Sequence, residues 1–361
     1  MADYIVDSSE LTAIANAIRA KTGTTGNIIF PSGFVSAVNK LTKPTEPWRE
    51  DTFDENGNIV NVVLHGYTKI PNYALYSSHL TSFTIPDVIT TIGEAAFCQS
   101  QLESIVIPDT VIDIGKEAFM NNTYLTSIVI PSGVSTINEA TFYGCHSLTS
   151  VTLPDTITSI EVNAFSDCSS LALTSLPSGL TSIKNGAFYG CSSLALTSLP
   201  NGLTSIENSA FYGCSSLALT SLPSGLTSIG NQTFQECKGI TSMTIPTGIT
   251  EIGESAFSMC TNLISVTLPE GLTNIGICAF EHCGLTSIDI PSSVTTIYNY
   301  AFGDSNLTSV TFNGTPTVVL EDAFLSCSNL TSIKVPWAEG AVSGAPWGAT
   351  NATITYNYTG N

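Results

Sequence analysis

Leu148-Thr149-Ser150-Val151-Thr152-Leu153-Pro154, running on through Ile157-Thr158-Ser159-Ile160 to Ala164-Phe165 and Cys168, is the stretch that decides the fold. It returns along the chain with small changes. The phenylalanines mark the interval: Phe97, Phe119, Phe142, Phe165, Phe188, Phe211, Phe234, Phe257, Phe280, Phe302 and Phe324. Successive rings are 22 or 23 residues apart, and Leu75 holds the same slot one interval earlier. A fixed period of this length signals a solenoid, because one unit cannot bury its apolar side alone and must stack on its neighbours.

Within one unit the spacing assigns directions. Leu148, Val151 and Leu153 point inward from a strand, Ile157 and Ile160 from the next segment, and Ala164 and Phe165 from the opposite wall. Each buried large apolar side chain contributes about 1.5–3 kcal/mol. Pro154 ends the strand, since it has no N–H for another ladder bond. Glu94, Glu117, Glu139, Glu207 and Glu254 stand shortly before the Phe. A carboxylate there favours the start of a short helical turn.

The consensus Leu-Thr-Ser-(Ile/Val)-x-(Ile/Leu)-Pro-x-x-(Val/Ile/Leu)-Thr-x-Ile-x-x-x-Ala-Phe-x-x-Cys resembles the BspA-type leucine-rich repeat of bacterial surface proteins. The resemblance covers roughly residues 60–335. It implies a leucine-rich-repeat-like solenoid of about 12 coils, with short parallel strands and short helical or irregular convex segments. It also implies adhesion and protein binding rather than catalysis.

Acidic residues number 29 against 10 basic ones, a net charge of −19. Such a surface repels nucleic acid and anionic membrane, because phosphate neutralisation needs clustered Lys and Arg. No stretch approaches the ~20 apolar residues of a membrane helix, so no membrane insertion is expected. Met1 to Ser8 has neither a basic n-region nor an apolar h-region. The export signal expected of a cell-surface member is therefore not found there; trimming or another route of exit would account for it.

Eight of the ten cysteines (Cys145, Cys168, Cys191, Cys214, Cys237, Cys260, Cys283 and Cys327) fall three residues after the repeat Phe. They form a column of small buried side chains. Neighbouring coils stack about 4.8 Å apart, but parallel Cβ vectors disfavour bridging, so the thiols are expected free. Cys98 and Cys278 lie outside the column.

Residues 1–42 do not repeat. Leu11, Ile14, Ala15 and Ile18 share one helical face, Ser8 or Ser9 supplies a cap, and Lys21-Thr22-Gly23 a stop. A second short helix is expected to carry Phe34, Val35, Val38 and Leu41. The segment Glu10-Leu11-Thr12-Ala13-Ile14-Ala15-Asn16-Ala17-Ile18-Arg19, with Lys21-Thr22-Gly23 and Phe30-Pro31-Ser32-Gly33-Phe34, resembles a module of phage tail-associated proteins. That resemblance implies attachment to other virion or tail proteins through residues 1–42. The bland alternative is a capping or oligomerisation unit, which would make the protein a homo-oligomer. Residues 43–50 read as a Pro-rich linker. The solenoid is expected over 51–335, with a capping hairpin at 51–63, and a capping segment at 336–361.

Three units are near copies: Cys168–Gly190, Cys191–Gly213 and Cys214–Glu236. In them Leu173, Leu196 and Leu219 take the slot of Ser150, and Thr174, Thr197 and Thr220 replace the inward Val151. The strand must shift its pleat or bulge there. Near-identity suggests recent duplication, so array length can change without loss of function.

No Gly-x-Ser-x-Gly, His-Glu-x-x-His or phosphate-cradling glycine loop occurs, and the four histidines are scattered. Glu281-His282-Cys283 with Cys278 is the one local cluster, and column drift accounts for it. The chain is expected to be no enzyme and to need neither cofactor nor metal. Binding is left to the outward strand positions. Serines (Ser82, Ser104, Ser127, Ser150, Ser242, Ser265, Ser287, Ser309) make one monotonous column. Thr84, Val106, Val129, Thr152, Thr244, Thr267, Asp289, Thr311 and Lys334 make a more varied one, the expected ligand face. Tyr143, Tyr189 and Tyr212 are candidate aromatic contacts for sugar rings. The expected ligand is a host cell-surface protein or glycan. The expected setting is a phage or prophage tail, with a bacterial surface adhesin and a purely structural spacer as alternatives.

Overall fold

The computed structural model describes residues 49–360, except 54, 56–58, 65 and 66. The chain divides into two compact units, Met1–Tyr67 and Thr68–Asn361. The expected helical module at 1–42 and most of the linker lie outside the described residues. In the first unit Arg49–Phe53 pairs antiparallel with Ile59–Leu64, with a register shift between Thr52 and Phe53. The expected hairpin is thus present, and its first strand begins at Arg49, inside the stretch read as linker.

The second unit is a parallel β-solenoid of about 13 turns. Each regular coil contributes two short strands to two parallel sheets. Ser150–Thr152 and Ser127–Val129 pair in register on the first face, and Ser159–Ile160 lies between Thr136–Ile137 and Ser182–Ile183 on the second. Inward residues alternate with outward ones, as pleating requires. Val151, Ile157, Ile160, Ala164 and Phe165 are buried, while Leu153 is only half-buried.

The phenylalanines form a continuous spine. From Phe97 to Phe324 adjacent rings stand with centroids 5.2–5.6 Å apart and planes within 18° of parallel. All eleven are buried. One ring per coil is therefore covered above and below by its equivalents.

The convex segment differs from the helical turn that the glutamates suggested. Around Phe165 three turns overlap: Ala164 N–H donates to Glu161 O, Ser166 N–H to Asn163 O and Cys168 N–H to Phe165 O. In the first and third, the residue before the closing donor is left-handed, Asn163 at φ 55° and Asp167 at φ 60°. A turn that places its third residue there gains nothing from a carboxylate at a helix start. The remaining donors look outward along the solenoid axis: Asn163, Phe165 and Asp167 N–H reach Asn185, Ala187 and Tyr189 O at 3.0, 2.8 and 2.7 Å. A third inter-coil ladder thus joins the two sheets.

Two side-chain columns finish the stitching. Thr149 Oγ1 donates to Thr126 O at 3.0 Å and Thr181 Oγ1 to Thr158 O at 3.0 Å, which explains the recurring Thr before each strand. The cysteine column also donates. Cys168 Sγ meets Phe142 O at 3.1 Å, and Cys191, Cys214, Cys237, Cys260 and Cys283 repeat the contact. All ten cysteines are free, with Cys98 buried and Cys278 half-buried.

In the three near-identical coils the pleat shifts as expected. Leu196 and Leu219 are buried and Leu173 is half-buried, whereas Thr174, Thr197 and Thr220 are exposed. Turning leucine inward interrupts the first sheet: no strand forms there between Ser150–Thr152 and Ser242–Thr244. The second sheet continues through Ser182–Ile183 and Ser205–Ile206. At the far end, Thr353–Thr355 adds in parallel to Ser332–Lys334. The segment after 335 is thus a further turn of the solenoid, packed through Phe312, Trp337 and Trp347 with centroids 5.2–6.4 Å apart.

Candidate functional site

The outward positions of the first sheet form the candidate surface. A two-residue side-chain period and in-register parallel pairing align equivalent residues into ladders with a rise of about 4.8 Å per coil. Thr84 sits beside Val106, Val129 beside Thr152, Thr244 beside Thr267, and Asp289 beside Thr311 and then Lys334. The structure brings the predicted residues onto one face but not into one run. The shifted coils divide them into a block from Thr84 to Thr152 and another from Thr244 to Lys334.

The first block is the more apolar. Val106 and Val129 are 59% and 62% exposed, unusually high for β-branched residues in strands. Thr84, Thr152, Thr244, Thr267 and Asp289 are also exposed. Thr311 and Lys334 are half-buried, and Lys334 Nζ lies 4.8 Å from the ring centre of Tyr358. That ring attracts the ammonium and ties it to the last turn, so Lys334 is less available to a ligand than its strand position suggested. Thr355, in register with Lys334, extends the column by one residue that the sequence analysis omitted. The alternating Ala352–Tyr358 pattern carried that signal.

The candidate tyrosines occupy a different side of the solenoid from the strand columns. They project from the turn side, after the Phe, and not from the strand face. Tyr189 and Tyr212 stack on each other with centroids 4.6 Å apart and planes 5° from parallel, so each covers one face of the other. Tyr212 OH donates to Glu236 Oε1 at 2.8 Å, and that bond, with burial, pushes the phenol up to about 12. Tyr143 is half-buried. Only the outer faces of the pair remain open for stacking on a ring.

An open depression of about 460 Å³ lies beside the second sheet, lined by Asp113, Lys116, Asn138, Glu139 and Glu161 among others. Lys116 Nζ is held 3.2 Å from Glu94, and Asn138 Nδ2 donates to Ile114 O at 2.7 Å. On the turn side Glu281, His282 and Asp304 gather their ligand atoms within 4.8 Å of one another. Cys283 does not join them; its thiol donates inward to Phe257 O at 3.1 Å. His146 Nδ1 lies 2.8 Å from Asp167 O at another coil.

A sequence profile described as the BspA type leucine rich repeat region matches in six copies, over residues 47–172, 112–241 and 227–340. Among solved structures, a leucine-rich repeat protein from Bacteroides ovatus is 25% identical, with a TM-score of 0.55 over 85% of this chain and 75% of that one. The pneumococcal vaccine antigen PcpA, 16% identical, gives a TM-score of 0.52 over 85% of this chain and 87% of its own, and so shares the fold. No curated protein matches the chain.

Proposed function

The chain belongs to the BspA-type leucine-rich-repeat family, and from that premise we propose that it is a recognition and adhesion protein that works by binding rather than by catalysis. The observation that carries this reading is the exposed block Thr84, Val106, Val129 and Thr152 on a stacked sheet. Its apolar and hydroxyl groups are held in register by a backbone that loses no further entropy on binding. The ligand it suits is a cell-surface protein or glycan of a bacterial host.

The carrier is the finer part of the proposal. The likeness of Glu10–Phe34 to a phage tail-associated module supports attachment to a virion tail. The family itself supports the alternative, an adhesin on a bacterial surface. A spacer without a ligand is the third reading.

Whole-cell and glycan-array binding by the full chain tests the function. The double variant Val129→Glu/Thr152→Glu should weaken binding at least roughly tenfold, because it buries unpaired charge at the centre of the contact. A wild-type chain that binds neither cells nor glycans leaves the spacer reading. Co-sedimentation with purified particles, against recovery in a cell-wall fraction, separates the two carriers.

A further inference from the structure

We propose that Glu281, His282 and Asp304 form a binding site for a divalent transition-metal ion of the zinc type on the turn side of the solenoid. His282 and Asp304 hold the same position, two residues after the Phe, in successive coils. Both are left-handed, at φ 53° and 51°. The turn ladder holds the two backbones together: His282 N–H donates to Gly303 O at 2.9 Å, and Asp304 N–H to Leu325 O at 2.9 Å. The two side chains therefore leave the surface as neighbours. Glu281 precedes His282, and the residue stacked on it in the next coil is Gly303, which contributes no side chain to fill the space.

All three ligand atoms lie within 4.8 Å of one another. Two ligands bound to one tetrahedral zinc ion at about 2.0–2.2 Å each stand about 3.3–3.6 Å apart. Small rotations of the exposed His282 and Asp304 side chains close the difference. Two carboxylates this close on a strongly acidic chain gain from a bound cation. Imidazole selects a transition metal over calcium or magnesium, which take oxygen ligands. Three protein ligands leave a fourth position for water or for a group from a binding partner.

Titrating the full chain with Zn²⁺ at pH 7 tests the site. One ion should bind at micromolar concentration, and His282→Asn and Asp304→Asn should each weaken it at least roughly tenfold. Both variants keep a residue that tolerates a left-handed backbone. Cys278→Ser should leave binding unchanged, since the converging ligand atoms are those of Glu281, His282 and Asp304 and do not include this thiol. The proposal is overturned if the wild-type chain binds no Zn²⁺ at 100-fold excess. It is equally overturned if binding survives in His282→Asn, or if Ca²⁺ competes on equal terms.

Discussion

At the scale of the residue, the cysteine column is the most informative feature. Its position is buried in every coil, but apolar character alone does not select its occupants. Ser100 Oγ donates to Leu75 O at 2.8 Å and Asn122 Nδ2 to Phe97 O at 2.7 Å, where later coils use a thiol. In most coils the occupant is a small donor that caps the carbonyl of the Phe slot one coil back; Ser305 instead donates to Phe302 O of its own coil at 2.7 Å. Such a carbonyl lies in the core, where an unmet bond is costly. Cys214→Ser should therefore hold stability within about 1 kcal/mol, while Cys214→Ala should lose about 1–2 kcal/mol in urea unfolding. Burial pushes Cys145 and Cys260 up to about 12. Raised folded values mean that this contribution is complete below the ordinary thiol value near 9 and is lost as pH climbs towards 12. The column remains a set of donors throughout the neutral range.

At the scale of the element, the turn run explains why no glutamate-started helix forms. Left-handed residues recur two before and two after the Phe, and most are not glycine: Ala95, Ala140, Ser209 and Gln232 before it, Asn121, Asp167 and Glu236 after it. An L-residue in this region costs about 1–2 kcal/mol. The ladder bonds to the next coil offset that strain. Ala140, at φ 50°, has no side-chain hydrogen bond to gain there. Ala140→Gly should then stabilise the protein by up to about 1 kcal/mol, the relief of strain outweighing glycine's greater entropy loss on folding. Thermal unfolding of the variant checks the sign; a lower melting temperature would show that the turn is not strained.

At the scale of the solenoid, the three near-identical coils are interchangeable modules. Each donates its turn bonds to the next coil, as Phe188 N–H does to Ala210 O, and donates back beside the second sheet, as Lys184 N–H does to Ile160 O. Deleting Cys191–Gly213 joins Gly190 to Cys214 with the Phe, Cys and strand positions still in register, at the loss of the Tyr189–Tyr212 stack and the Lys184–Glu207 pair. The shortened chain should remain folded, with an unaltered circular dichroism line shape, because stability in such arrays is a sum of coil and interface contributions. Deleting Cys191–Leu203 instead breaks the register between the sheets and the Phe spine, and that chain should aggregate on size-exclusion chromatography. If both deletions behave alike, the coils are not independent modules.

The amino-acid sequence alone determined the period, the Phe spine, the free thiols and the inward shift of Leu196 and Leu219. Each of these follows from which residues recur at fixed spacing and which of them water rejects. Tertiary structure decided what depends on the neighbouring coil: the left-handed turns, the thiol-to-carbonyl bonds, the break that divides the candidate face in two, and the pairing of Tyr189 with Tyr212. Those features join residues 21–26 positions apart along the chain. Their partners are set by how one coil lies on the next, so composition and local pattern carry no trace of them. Glu281, His282 and Asp304 show the same division. Two of them are adjacent in the chain and were noticed there, but only stacking supplies the third.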